Sequence, residues 1–317
     1  MIRIRGYLPR RLAATVPVML LVSLFAFLLM QIVPGDPAIA IAGGEASAAQ
    51  LEAIRQSLGL DRPWYQALLT WYGNLLQGDL GHSYVLNMTV LQAIGERLPV
   101  TLSLAVFSLV LTVPISVAMG VLAACRRGGL VDLGLMTVAL LGVSLPNFWI
   151  GIMAILLFSV QLGWFPSSGY VPFSTDPLGY LHALFMPACV LGLFQIGLLA
   201  RITRSAMLDT LSQDYVRTAR AKGAPEWRTV LNHALRNAAV PIATVIGLIF
   251  SLLVTGAVVT EQVFALPGLG RLIVQAILNR DYPLIQGALL IVAASFVLIN
   301  LVVDLIYAWL DPRIRYS

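Results

Sequence analysis

The densest polar chemistry in this 317-residue chain lies in one stretch, Asp214-Tyr215-Val216-Arg217-Thr218-Ala219-Arg220-Ala221-Lys222-Gly223-Ala224-Pro225. Arg217, Arg220 and Lys222 can pair with acidic or carbonyl groups, and Ala219 and Ala221 are small enough to let a helix seat closely against another surface. The chemistry on offer is ion pairing and docking. The alanines are strong helix formers, Asp214 suits an N-cap, and Gly223 suits a left-handed helix stop. Pro225 fits the first turn of a second helix. The stretch continues through Trp227 and Arg236 to Pro241, between two apolar spans. A basic segment in that position belongs in water on the cytoplasmic face of a membrane.

Few other residues offer chemistry. There is no Gly-rich phosphate loop with its Lys and Ser/Thr, and no His-Glu-x-x-His pair. Gly268-Leu269-Gly270 precedes no such lysine. His82, His182 and His233 are scattered and read as unrelated polar residues rather than metal ligands. Cys125 and Cys189 are far apart, which argues against a disulfide framework and against a metal site. Asp304 is the one acid inside an apolar run. Its insertion cost of about 2.5–3.5 kcal/mol is outweighed by the Leu, Ile, Val and Phe residues between Ile285 and Val303. It reads as a contact with a neighbouring helix or a cytoplasmic arginine, with a proton relay as the alternative.

The elements around these residues are those of a membrane protein. The chain is 59% hydrophobic and 11% charged, where a soluble domain carries about 25% charged residues. The net charge of +5 is no nucleic-acid signal, because the basic residues cluster in particular loops. Arg3, Arg5, Arg10 and Arg11 precede a first span from Leu12 to Val33, read as retained, with its N-terminus in the cytoplasm. Pro34-Gly35-Asp36-Pro37 ends it, and the acid-rich segment to Pro99 suits the outside. Within that segment Ala48–Leu58 has helical spacing, and Trp64–Leu76 reads as an amphipathic helix at the membrane interface.

A second span covers Thr101–Ala124, and Arg126 and Arg127 mark the cytoplasm after it. The third, Leu133–Val160, is interrupted at Pro146-Asn147 and is expected to be one kinked, tilted helix rather than two half-helices. The loop Gln161–Tyr180 carries no Lys or Arg and belongs outside. Spans Leu181–Ala200, Val240–Thr260 and Leu284–Tyr307 follow. Glu261-Gln262-Val263-Phe264 through Asp281-Tyr282-Pro283 return the chain across the outside. The expectation is an all-α polytopic membrane protein of six spans with both termini cytoplasmic.

Tyr215-Val216-Arg217-Thr218-Ala219-Arg220-Ala221-Lys222-Gly223, with Pro241 beyond it, resembles the "EAA" loop of ABC-importer permeases. It is closest to the form in the dipeptide/oligopeptide/nickel permease family. Thr218 stands where many importers have Glu, and the peptide family commonly has Thr there. Pro34-Gly35-Asp36-Pro37, Leu58-Gly59-Leu60-Asp61-Arg62-Pro63, Gly78-Asp79-Leu80-Gly81, Pro267-Gly268-Leu269-Gly270 and Asp281-Tyr282-Pro283 resemble the same family in the same order.

The resemblance implies the type I ABC-importer permease fold. It divides the chain into an N-terminal helix and extracytoplasmic segment over 1–96, a transmembrane permease domain over 97–308 and a cytoplasmic tail over 309–317. It implies an ATPase-coupling role for Asp214, Tyr215, Arg217, Thr218, Ala219, Arg220, Ala221, Lys222 and Gly223. The implied partners are a second, homologous permease, two cytoplasmic ATPase subunits, an extracytoplasmic solute-binding protein and membrane lipid. No nucleic acid is implied, and no cofactor in this chain, since ATP and Mg would be used by the ATPase subunits. The chain is therefore expected to be a transporter subunit and not an enzyme.

Rival classes predict other features. A secondary transporter should show internal repeats and paired broken helices with midplane charges. An intramembrane enzyme should gather catalytic groups within its spans. Neither pattern is present in the sequence, and a nickel-type solute stays open within the same family.

The charge distribution also predicts topology. Single cysteines at positions 168 and 212, made by Ser168→Cys and Ser212→Cys without Cys125 and Cys189, should differ toward an impermeant thiol reagent in intact cells. Position 168 should label and position 212 should not, and the reverse pattern would invert the topology.

Overall fold

A computed structural model describes residues 4–32, 38, 47–57 and 63–310 of the chain. The motifs at 34–37 and 58–62, the side chains of the N-terminal arginines and of Asp304, and the tail 311–317 lie outside the described residues. The chain divides into two compact units, Met1–Val100 with Pro267–Leu298, and Thr101–Leu266 with Ile299–Ser317.

The first unit begins with α1 (Ile4–Ile32), α2 (Ala48–Ser57) and α3 (Trp64–Leu76). Ser47 and Gln50 form a reciprocal cap at the head of α2: the Ser47 amide donates to Gln50 Oε1 at 2.9 Å and the Gln50 amide to Ser47 Oγ at 3.3 Å. The aromatic helix expected at Trp64–Leu76 is α3, and it meets α1 through two aromatic residues. Trp71 lies 5.8 Å from Phe27 between ring centroids, and Tyr72 Oη is 2.9 Å from Ser23 Oγ. Two-residue strands β1 (His82–Ser83) and β2 (Met88–Thr89) form a hairpin with His82 opposite Thr89.

The core of this unit is apolar. Val90, Ala93 and Ile94 at the start of α4 (Val90–Cys125) pack with Leu269, Leu272 and Ala276 of α11 (Leu269–Leu278) and with Leu284, Ile285 and Ala288 of α12 (Tyr282–Leu310). Asp281 is 1% exposed, and the hairpin depends on it. It accepts from Ser83 Oγ at 2.5 Å and the Val85 amide at 3.2 Å, and its second oxygen faces the Leu284 amide in the first turn of α12 at 3.4 Å. One carboxylate thereby ties the hairpin to a helix start.

The second unit is built around α7 (Pro177–Leu211), which carries the largest buried share of any candidate span. Asp176 caps it by accepting from the Leu178 amide at 3.1 Å, and Pro177 takes the first helical position, where no amide is needed. α7 packs against α5 (Leu130–Ser144), α6 (Asn147–Ala154) and α10 (Arg236–Val263). Glycines permit the close approaches. A Cβ at Gly197 would collide with the Ala139 carbonyl and Val143 of α5, and one at Gly192 would collide with Thr112 and Ser108 of α4.

Four helical stretches among the described residues are long and apolar enough to cross a membrane: Val90–Cys125, Pro177–Leu211, Glu226–Val263 and Tyr282–Val303. The α5–α6 pair makes a fifth if taken as one span, and the first span of the sequence reading is α1, with the described apolar stretch Ala13–Leu28. The expectation of a single kinked third span is corrected. α5 and α6 meet at a bend of 100°. Leu145 takes φ −91°, ψ 136° and Pro146 φ −65°, ψ 132°. A residue before proline is pushed out of the helical region, and with two successive extended residues the helix stops. α6 then winds on as a π-helix over Ile155–Gln161.

The fifth span also runs further than expected. α10 extends to Val263, so Glu261 is helical and fully buried, with Thr101 Oγ1 donating to it at 2.5 Å. An acid that reads as a loop residue is here an internal hydrogen-bond partner.

The close approach at Gly197 gives a direct test. Gly197→Val should force α5 and α7 apart and destabilise the fold by about 1–3 kcal/mol. This should appear as a lower unfolding midpoint for the purified protein in detergent, and an unchanged midpoint would contradict the packing.

Candidate functional site

The basic stretch singled out in the sequence folds as a short helix between two long ones. α7 ends at Leu211, and Ser212 closes it by hydrogen bonds from its amide to Leu208 at 3.2 Å and from its hydroxyl to the Asp209 carbonyl at 2.8 Å. α8 (Asp214–Ala221) follows at once. The expected cap at Asp214 moves one residue back. Gln213 is extended at φ −74°, ψ 149°, and its carbonyl takes the Val216 and Arg217 amides at 3.1 and 3.3 Å. Asp214 is instead the first helical residue, where its negative charge still meets the positive end of the helix dipole. Arg217 Nη1 lies 3.6 Å from its carboxylate. Thr218 donates its hydroxyl to the Asp214 carbonyl at 2.9 Å, one turn back.

Gly223 ends α8 with φ +80°. Its amide reaches the Arg220 carbonyl at 2.9 Å, and the Ala224 amide reaches Ala219 at 3.2 Å. These two bonds are a Schellman ending, which needs a left-handed residue at the position of Gly223. A Cβ placed there would meet nothing within 4 Å. Backbone conformation alone therefore calls for glycine, not crowding. Pro225, at φ −65° and ψ 145°, sits one residue ahead of α9 (Glu226–Arg228). α9 is not a separate short helix as the sequence suggests. It winds through a π-helical stretch, Thr229–Leu235, straight into α10.

Across the corner, Arg220 grips Glu226 with two bonds, Nε to Oε2 at 3.1 Å and Nη2 to Oε1 at 2.6 Å. The bonded carboxylate raises the Arg220 pKa further above its ordinary value, so the cation is permanent. Both side chains are exposed, so the pair contributes about 0.2–1 kcal/mol and serves mainly to fix the corner angle.

α8 has one buried side chain, Val216. It holds the helix against the π-helical stretch, whose Thr229, Val230 and Ala234 are buried. Tyr215, Arg217, Thr218, Arg220, Ala221 and Lys222 are exposed, and Ala219 is half-buried. The loop thus presents a short basic helix with small residues. Trp227 stands beside it, 60% exposed, with the Arg228 guanidinium 5.4 Å from its ring centroid.

Sequence reasoning did not reach Trp227 as a surface feature or Glu226 as the partner of Arg220. An acid and a base flanking a glycine corner are the signal that could have found the pair. The histidines lie in unconnected places: His82 in β1, His233 in the π-helical stretch, and His182 in α7 with Nε2 2.8 Å from the Trp164 carbonyl. Among the described residues no three His, Cys, Asp or Glu side chains gather as a metal site.

The fold and this loop define a polytopic helical membrane protein with a short basic helix between two spans. Residues 116–316 match the family described as binding-protein-dependent transport system inner membrane component, and residues 1–105 match the N-terminal membrane-component family of the same systems. The chain belongs to this family and is an ABC-importer permease. It is 56% identical over 308 residues to a protein of Brucella abortus (strain 2308) provisionally named a peptide transport system permease, covering 97% of this chain and 98% of that one. It is 43% identical over 312 residues to the glutathione transport system permease protein GsiC of Escherichia coli (strain K12), covering 98% and 99%. A chain of the MetNI methionine ABC transporter, solved in inward-facing conformations, superposes with a TM-score of 0.58 at 18% identity. That match covers 70% of this chain and 97% of the other and shows the type I fold.

The open space at Gly223 separates backbone strain from crowding. Gly223→Ala should cost about 1 kcal/mol of local stability through the left-handed conformation alone. Faster amide exchange confined to residues 214–228 would be the readout, and wild-type exchange rates there would rule the strain out.

Proposed function

We propose that this chain forms half of the translocation pathway for di- or oligopeptides, or a related small solute, in an inner-membrane ABC importer. The observation that carries the reading is the loop: a basic helix held by one buried valine, ending at a left-handed glycine, and joined to long helices by a two-residue turn on one side and a four-residue corner on the other. The peptide and glutathione names of relatives matched over nearly the whole chain support the solute class.

In this reading both termini and the Asp214–Gly223 loop lie in the cytoplasm. Asp214, Tyr215, Arg217, Thr218, Ala219, Arg220, Ala221, Lys222 and Gly223 form the surface that docks on an ATPase subunit. The complete importer has a second homologous permease, two ATPase subunits that use ATP and Mg, and an extracytoplasmic solute-binding protein. Closure of the ATPase dimer moves the docked helix. Because α8 is continuous with α7 through a two-residue turn, the spans shift with it between inward- and outward-facing states.

The decisive test is Gly223→Arg. The variant should insert and assemble with its partner permease, yet lose solute uptake in membrane vesicles and lose or uncouple the co-purifying ATPase. Normal uptake by a stably expressed Gly223→Arg protein would take the loop out of the mechanism.

A further inference from the structure

Away from the docking helix, an ion pair between a buried acid and a half-buried arginine spans the elements that feed it. Asp132, in the first turn of α5, is 5% exposed. Arg204, on α7, reaches it with a two-pronged contact, Nε to Oδ1 at 2.6 Å and Nη2 to Oδ2 at 2.7 Å. Oδ2 also accepts the Gly128 amide at 2.9 Å, in the turn that joins α4 to α5. Gly128 takes φ +74° there, and the Gly129 amide closes the turn on the Arg126 carbonyl at 2.9 Å. One carboxylate therefore holds the α4–α5 turn, the start of α5 and the side of α7.

The placement gives this contact a mechanical meaning. Arg204 stands on the same unbroken helix that ends at Leu211, one turn before Asp214 begins α8. Arg204 lies seven residues, about two turns or 10 Å of helix, before the end of α7 at Leu211. Asp132 stands on the helix that ends at the 100° bend before α6. A two-pronged guanidinium–carboxylate contact resists rotation as well as separation, which a single bond does not.

We infer that the Asp132–Arg204 pair is a positioning clamp that transmits movement of the α8 loop through α7 to the bent α5–α6 pair. This rests on the proposed role of the loop. Neither residue is assigned to contact solute or ATPase. The clamp acts through the helices it joins, so its loss should separate ATP hydrolysis from transport rather than abolish either subunit contact.

The test uses the complete importer in proteoliposomes, with permease pair, ATPases and solute-loaded binding protein. Arg204→Gln should leave the basal ATPase of the assembled complex within about twofold of wild type, while binding-protein stimulation and solute moved per ATP fall about tenfold (a factor of ten corresponds to about 1.4 kcal/mol of coupling free energy). Arg204→Lys keeps the charge and loses the fork, so its solute-to-ATP ratio should lie between the two. If Arg204→Gln fails to assemble, the Arg204→Lys ratio decides. A wild-type ratio in the lysine variant, or uptake and ATPase falling together in proportion to assembled complex, would overturn the clamp. Wild type and Gly223→Arg run alongside separate the two ideas. Normal coupling in Gly223→Arg defeats the reading of the loop, whereas a coupling defect there with unchanged Arg204 variants defeats only the clamp.

Discussion

The fold depends on how closely other helices can approach α7. Between helices in lipid the hydrophobic effect supplies no driving force, so association rests on packing and interhelical hydrogen bonds. α7 meets that condition with glycines set opposite carbonyls and hydroxyls. Gly197 faces the Ala139 carbonyl, Gly192 faces Ser108 and Thr112, and on α4 Gly120 faces the Ala200 carbonyl and Thr203. These positions lie along both helices rather than at one crossing. α7 is therefore gripped over much of its length, and it can act as a rigid stem for whatever follows Leu211.

The polar side chains show a second level of organisation. Asp132, Glu261 and Asp281 are each at most 5% exposed, and each sits near the end of a helix or between two helices, not in the middle of a span. Arg204 satisfies Asp132, Thr101 bonds Glu261, and Ser83 with the Val85 amide holds Asp281. A buried carboxylate left without partners would carry the whole desolvation penalty, so each of these contacts also fixes where its partner segment lies. The acids work as registration points for the helix ends, while the glycines set the spacing between.

Much of this was legible in the chain itself, and the misses share a cause. The spans, the basic loop and the glycine stop at Gly223 carry local signals: apolar length, charge, and one residue type that tolerates a positive φ. Trp64–Leu76 carries a local signal too, its aromatic and amphipathic pattern, and it folds as α3 over those residues. Pro146 announced a break, but a proline specifies that the helix stops, not the direction in which the next one leaves. Glu261 read as a loop residue because its partner, Thr101, is 160 residues away. The partner of Arg204, Asp132, likewise lies 72 residues earlier. The one-residue shift from Asp214 to Gln213 is of the size by which helix ends routinely differ. Pairings distant in sequence leave no local pattern to read.

The forces that hold the loop are individually weak. Burying Val216 supplies about 1.5–3 kcal/mol. The exposed Arg220–Glu226 bridge adds about 0.2–1 kcal/mol, and the left-handed corner is relaxed because Gly223 occupies it. No single one of these would hold α8 rigidly against a load, and all of them lie within the loop or between it and the head of the helix that leaves it. The turn into α7, by contrast, is two residues long, and α9 continues into α10 without a break. A force applied to the exposed face of α8 has little slack to absorb it at the end that joins α7. It passes into α7, which packs against α10 in the second unit. The two-residue connection into α7 is shorter and stiffer than the footing of α8 is strong.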